Sequence, residues 1–389
     1  MPRYTLFLVS FLLFGSGLSA AGHTAKRTHR ATVRRPAKRV TAKRVTAARV
    51  VRVVQTPAVN APIIRGGPWT EPTYADSTAG DFVDGDDMDV RRAAVEALGQ
   101  YNGSVVVTDA ETGRVLTIVN QKIAFGSGFQ PCSTVKVSVA LAGLREKTIE
   151  ASNKYRLRGL KIDLTNALAH SNNYYFATLG ERLGFNKVSY YAHLFGYGEK
   201  AGLNIPGEQP GRYPTAPPKN GGVGMLTSFG EEISQTPLQL AALMGAIANG
   251  GTLYYLQYPH STAEVQSFEP HVKRKLDIAD AIPVIKPGMR GAVEFGTAHR
   301  AREDGPIAGK TGTCSENFTH LGWFGSFNDT GNRKLVVVVL LTGGRPAIGP
   351  LAAGVAGDVY HRLTEKRYLA MDAPFAPPAL VSRQLCCAK

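Results

Sequence analysis

The strand-forming runs of this chain lie at the two ends of one long stretch, and the residues between them carry helical periodicity. Residues 104–108 and 114–119 are β-branched runs joined by Asp109-Ala110-Glu111-Thr112-Gly113, the turn chemistry of a hairpin. Comparable runs return only at 320–327 and 334–341, while helical patterns occupy about 134–147, 172–183, 186–195 and 236–249, with another at 351–367. Strands so separated bury their apolar faces only if the early hairpin lies beside the late strands. The expected class is therefore α+β, one sheet closed by early and late segments around a helical middle.

Charge divides the chain further. Of 45 Lys and Arg, 13 fall in residues 1–70, which hold no acid, so the net charge of +15 belongs almost wholly to that end. The remainder is nearly balanced, which argues against a nucleic-acid-binding surface on the folded part. Residues 1–21 carry Arg3, an apolar run and Ser19-Ala20-Ala21, the plan of a signal peptide, with an uncleaved membrane anchor as the alternative. Either reading places the rest outside the cytoplasm. Residues 22–89 read as a disordered linker, basic and then acidic, within which 24–65 suit an anionic envelope polymer or lipid headgroup, or are simply solvated. Among the five aspartates Asp81, Asp84, Asp86, Asp87 and Asp89 no register supplies a calcium loop, and Asp89 is expected to cap a helix starting near Val90. A domain over 90–370 and a frayed tail over 371–389 complete the expected layout. Four cysteines without zinc-site spacing and nine scattered histidines suggest neither a metal nor a cofactor.

Three short motifs carry candidate chemistry. Pro131-Cys132-Ser133-Thr134-Val135-Lys136 opens a helix whose following residues are apolar on most sides, so that Lys136 is a cation in a buried helix. Its spacing from Ser133 sets amine and hydroxyl on one helical face, and the helix start offers N–H groups to a developing anion. Hydroxyl nucleophile, desolvated amine and anion-binding helix end are the parts of a serine acyl-transfer site. S-x-x-K alone is weak, expected by chance about once or twice in a chain this long. Ser171-Asn172-Asn173 sits where a helix begins, and capping is the plain explanation of it. Gly309-Lys310-Thr311-Gly312-Thr313 is not a phosphate loop, because Asp304 occupies the first glycine position and a strand pattern follows; on an edge strand it offers an ammonium, hydroxyls and N–H groups to a carboxylate.

In this order, S-x-x-K, S-x-N and K-T-G resemble the set of penicillin-binding protein transpeptidases and class A β-lactamases. The long gap from 171 to 310 is similar to the former, as are residues 103–120, 179–214, 236–251 and 320–327. The resemblance implies a β-lactamase/transpeptidase-like fold, an antiparallel sheet flanked by helices with an all-α subdomain. It departs from the family in Cys132, where glycine is usual, in a short first gap, and in having too few residues before 90 for the additional domains of large members.

The implied activity is D,D-transpeptidation of D-Ala-D-Ala peptidoglycan stem peptides, with β-lactams as covalent inhibitors and other cell-wall synthesis proteins as candidate partners. Ser133 is the implied nucleophile, Lys136 the base, Ser171 a proton relay and Asn173 a holder of the substrate amide. Lys310, Thr311, Gly312 and Thr313 line the carboxylate-binding strand, and the N–H groups of Ser133 and Thr313 form the oxyanion hole. A D-alanyl carboxypeptidase or β-lactamase would use the same acylation machinery, and a non-catalytic envelope binding or sensor module would need none of it. Glu208, Glu231 and Glu232 are candidates for a deacylating acid by composition only and read otherwise as surface residues. Cys132 and Cys314 each adjoin an oxyanion donor, so the implied fold brings the thiols near one another. They are either a disulfide across the site or two buried free thiols. Cys386 and Cys387 read as tail residues.

Overall fold

The computed structural model describes residues 70–302, 305–345 and 348–370. The expected signal or anchor, the basic arm and the tail at 371–389 lie outside them.

Five strands form an antiparallel sheet: β1 (Gly103–Asp109), β2 (Val115–Val119), β5 (Ile307–Glu316), β6 (Thr319–Asn328) and β7 (Leu335–Gly343), in the order β2-β1-β7-β6-β5. The closure is the β1–β7 ladder, in register from Gly103 opposite Leu341 to Asp109 opposite Leu335. β7 is central and buried throughout, and its apolar run serves two cores in alternation. Val336, Val338 and Leu340 face one layer, whereas Leu335, Val337, Val339 and Leu341 face the other. A strand covered on both sides loses the apolar-polar alternation of a half-exposed one.

On the second face lie α1 (Met88–Leu98) and α11 (Gly349–Glu365). On the first lies α8 (Pro237–Ala248), begun by Thr236 and Gln239 in a reciprocal capping box with Pro237 in the first turn. The helical middle comprises α2 (Gln121–Ala124), α3 (Lys136–Arg145), α4 (Leu164–Ala169), α5 (Asn173–Leu183), α6 (Phe185–Leu194) and α7 (Gly222–Phe229). After α8 come β3 (Thr252–Tyr254), α9 (Thr262–Gln266), β4 (Val272–Lys275) and α10 (Ile282–Glu294), with β3 and β4 pairing as a separate ribbon. No described helix is long and apolar enough to cross a membrane.

Two expectations need correction. The acidic end of the supposed linker is part of the fold: Arg91 on α1 binds Asp81 at 2.7 Å and Asp86 at 3.5 Å, and donates to the Ile118 carbonyl at 2.7 Å. Asp86 also accepts from the Thr117 and Tyr258 hydroxyls at 2.6 Å each, and burial still raises its pKa. A buried guanidinium therefore organises carboxylates that composition alone assigns to solvent. The cap of α1 is Asp87, not Asp89; its carboxylate accepts from the N–H groups of Asp89 and Val90, and the helix starts two residues before the expected point.

Candidate active site

Three chain segments converge on one buried amine. A 3-10 turn (Cys132–Val135) follows Pro131 and runs directly into α3, so Ser133 and Lys136 share a face. Lys136 is fully buried and Ser133 is 9% exposed. Nζ of Lys136 lies 2.9 Å from Ser133 Oγ, 2.9 Å from the Ser171 carbonyl oxygen and 3.1 Å from Ser171 Oγ, and it donates a short bond to Oδ1 of Asn173. The rings of Phe176 and Phe229 stand 5.8 and 6.0 Å from the nitrogen. Among the described residues it has no ion-pair partner, and burial lowers its pKa to about 7. A neutral amine suits the spot: two N–H bonds for the Ser171 carbonyl and Asn173, and one lone pair towards the Ser133 hydroxyl.

The second motif serves both of its readings at different residues. Asn172 caps α5, its Oδ1 accepting from Tyr175 N at 2.8 Å, and this leaves Ser171 and Asn173 on either side free to face Lys136. Ser171 is left-handed at φ 54°, which turns its carbonyl and hydroxyl together onto the amine.

The third motif lies on β5, the sheet edge, as its chemistry requires. Lys310 is fully buried and donates to the Thr311 carbonyl at 3.1 Å; burial first, and the nearby Lys136 second, hold its pKa well below the usual lysine range. Thr311 Oγ1 lies 2.6 Å from Thr297 Oγ1, and Thr313 accepts from the Gly349 N–H at the start of α11 at 2.8 Å. Gly312 is glycine for want of room: a Cβ there would stand 2.8 Å from the Pro131 oxygen and 3.3 Å from Cys132 Cβ. Gly230 meets the same segment from α7, with φ 68° and a would-be Cβ 2.4 Å from Pro131 Cγ.

Cys132 and Cys314 are joined as a disulfide, with Cα atoms 5.6 Å apart, so the bond offered as one of two possibilities is the one formed. Its neighbourhood also holds Gln130, whose carbonyl accepts from Trp323 Nε1 at 2.9 Å and whose N–H donates to Glu316 at 2.8 Å. Thr297, Gly349, Phe176 and Phe229 belong to the pocket without belonging to any motif; only their place in the fold brings them there.

The three candidate acids are not alike. Glu208 is buried rather than exposed, bound to the N–H groups of Ala201 and Gly202, with its pKa raised by burial. Glu231 accepts from Gln130 Nε2 at 3.2 Å, and Glu232 is exposed. Among the described residues no carboxylate bonds Ser133 or Lys136.

Residues 103–361 match the family described as the penicillin binding protein transpeptidase domain. The chain belongs to that family. Relatives include Stage V sporulation protein D of Bacillus subtilis, 29% identical over 282 residues, which cover 62% of this chain and 43% of the relative. The penicillin-binding protein PbpB of Mycobacterium tuberculosis is 23% identical over 68% of this chain and 48% of its own length. The peptidoglycan D,D-transpeptidase MrdA of Haemophilus influenzae is 25% identical over 69% and 54%. The chain thus spans about half the length of the curated relatives it matches. A crystal structure of Pseudomonas aeruginosa PBP2 in complex with WCK 5153 shares the fold, with a TM-score of 0.63 at 23% identity over 77% of this chain and 82% of that one. The expected α+β transpeptidase fold, with its antiparallel sheet flanked by helices, is the one found.

Proposed function

We propose that this chain is a penicillin-binding serine D,D-transpeptidase that acylates itself at Ser133 on the penultimate D-alanine of a peptidoglycan stem peptide. The observation that carries this is the Lys136 amine, buried without an ion-pair partner among the described residues, 2.9 Å from Ser133 Oγ and with a pKa of about 7. An ordinary lysine, with a pKa near 10.4, is a poor base at neutral pH; a desolvated one is a competent base.

In the proposed sequence Lys136 takes the Ser133 proton as Oγ attacks the carbonyl, and the N–H groups of Ser133 and Thr313 receive the oxyanion. Losing one such donor typically raises the barrier by about 3 to 4 kcal/mol. Ser171 passes the proton to the departing D-alanine, Asn173 holds the substrate amide, and an acceptor amine then attacks the acyl carbonyl and frees Ser133. Lys310, Thr311 and Thr313 bind the terminal carboxylate beside Gly312. Two cations in one water-poor pocket disfavour each other, so the two lysines titrate as a pair. The arriving carboxylate restores the charge on Lys310 and leaves Lys136 neutral as the base. A β-lactam enters by the same acylation and stalls.

The proposal includes export to the cell envelope through residues 1–21, by cleavage or as an anchor. It also includes contact of residues 24–65 with anionic envelope polymer or lipid, and recruitment by other cell-wall synthesis proteins. The site's lack, among described residues, of a carboxylate on Ser133 or Lys136 favours slow hydrolysis of the acyl-enzyme over β-lactamase turnover.

The test is a time course of intact mass for residues 22–389, wild type and Ser133→Ala, with a fluorescent penicillin. A long-lived adduct on the wild type alone is expected. Rapid turnover would make the chain a β-lactamase, and no adduct on folded protein would make it a binding module.

A further inference from the structure

Cys132, directly before Ser133, has φ 52°, a conformation in which a side chain is crowded and glycine is at ease. It is fully buried, so its side chain cannot relieve the crowding by moving into solvent. Its Sγ is bonded to Cys314, four residues beyond Lys310 on β5. The residues on either side of this bond in the proposed machinery are Ser133, next after Cys132, and Thr313, next before Cys314. The segment leading to it belongs to no helix or strand from residue 126 to 131; it is held to the sheet otherwise by the Gln130 bonds to Trp323 and Glu316, and to the residue before the α8 cap by the Phe129–Gln235 bridge. The one covalent tie among the described residues therefore sits at a residue with a left-handed backbone and at the junction of two proposed donors.

We propose that the Cys132–Cys314 disulfide is a positioning device for acylation: it holds the left-handed backbone at 132 against β5 and so keeps the N–H groups of Ser133 and Thr313 aimed at one oxyanion. Neither sulfur touches the reacting atoms. Reduced, the chain is free to leave the crowded conformation, and the two donors lose their common target. The reduction is an ordinary exchange: a dithiol gives two electrons and two protons, the Sγ–Sγ bond becomes two thiols, and the dithiol closes to its own disulfide. Active protein would then accumulate only where disulfides persist, outside the reducing cytoplasm. Misplacing reacting groups by an ångström commonly costs orders of magnitude in rate.

The inference rests on the Ser133 reading, and the experiment separates the two. Penicillin acylation is followed by stopped-flow, giving saturation affinity and limiting rate separately, for full-length protein in which Cys386 and Cys387 are alanine so that no other thiol exchanges. The samples are oxidised protein, protein reduced by a dithiol, Cys314→Ala, and Cys132→Gly combined with Cys314→Ala. If no sample is acylated, the proposed function fails and this inference falls with it; acylation of the reduced protein alone would overturn the inference and leave the function standing. Given acylation, reduction or Cys314→Ala is expected to lower the limiting rate about tenfold or more with little change in affinity. Glycine at 132, which takes φ 52° unaided, restores most of the rate in the double variant, and the dithiol has no effect on either variant. Equal limiting rates in all four samples would overturn the proposal, as would a slow glycine variant. A bond that merely stabilised the fold would change the melting temperature and leave the limiting rates alone.

Discussion

Helices α8 and α3 are both buried, the one opening on Pro237 and the other entered from Pro131 through a 3-10 turn, and differ in what they do with their first turn. All twelve residues of α8 are buried, and its opening N–H groups are met by Thr236 and by the reciprocal bond of Gln239. In α3 eight of ten residues are buried, no side chain caps the start, and one of the eight is a lysine. Each level of description agrees in α8: apolar content, cap, proline and packing point to one structure. In α3 they conflict, because an ionisable group stands in a core and a helix start goes uncapped. Such conflicts are tolerated where the local cost serves a site. On the proposed function, the uncapped start and the buried amine belong together as the oxyanion-binding and base halves of one device.

The comparison breaks most visibly at Lys136. Lys136→Met should reduce penicillin acylation by about 10² to 10⁴-fold, yet lower the unfolding free energy in urea by no more than about 1 kcal/mol, since it replaces a buried ionisable amine by an apolar chain. A stability loss as large as the activity loss would make Lys136 a structural residue. The reverse exchange in α8, Leu243→Lys, should cost about 4 kcal/mol, read from the same denaturation curves; a fold that accepted it would erase the difference between the helices.

A pH series sharpens the contrast. The folded-state pKa of Lys136 lies near 7 and its unfolded value near that of a free lysine, so between them the unfolded chain binds more protons. Stability should therefore rise with pH across that window, by up to about 1.4 kcal/mol per unit from this group. The penalty is fully present below pH 7 and is lost as pH approaches the unfolded value. Lys136→Met should remove that part of the slope, and an unchanged slope in the variant would assign it elsewhere. The smallest effect is expected from Thr236→Ala, which should lower stability by about 1 kcal/mol by opening the capping box, with acylation unchanged; altered acylation would tie α8 to the site.

Much of this was legible in the residues. The hairpin at 104–119, the late strands, α5, α6, α8 and α11 follow from periodicity because each has a continuous apolar face or run. The buried lysine and the edge strand of the third motif were also readable. Less was visible where tertiary contacts override local pattern. α10 holds Pro287 inside the helix and glycines at 288 and 291, which dilute its signal; β4 is Val-Lys-Arg-Lys, polar enough to pass for a loop. Asp81 and Asp86 look solvated until Arg91 is placed between them, and Glu208 looks solvated until the Ala201 and Gly202 N–H groups turn towards it. Thr297 and Gly349 reach the site through α10 and α11 packing on β5, information that no local motif contains.

The most direct test of the central claim is the pH dependence of the limiting rate at which wild-type protein is acylated by penicillin at Ser133. If Lys136 supplies the base, the rate should rise with an apparent pKa close to 7 and stay level towards pH 9. A rate that went on climbing towards the pKa of a free lysine would contradict it, because the buried amine would then be a charged group and not the base.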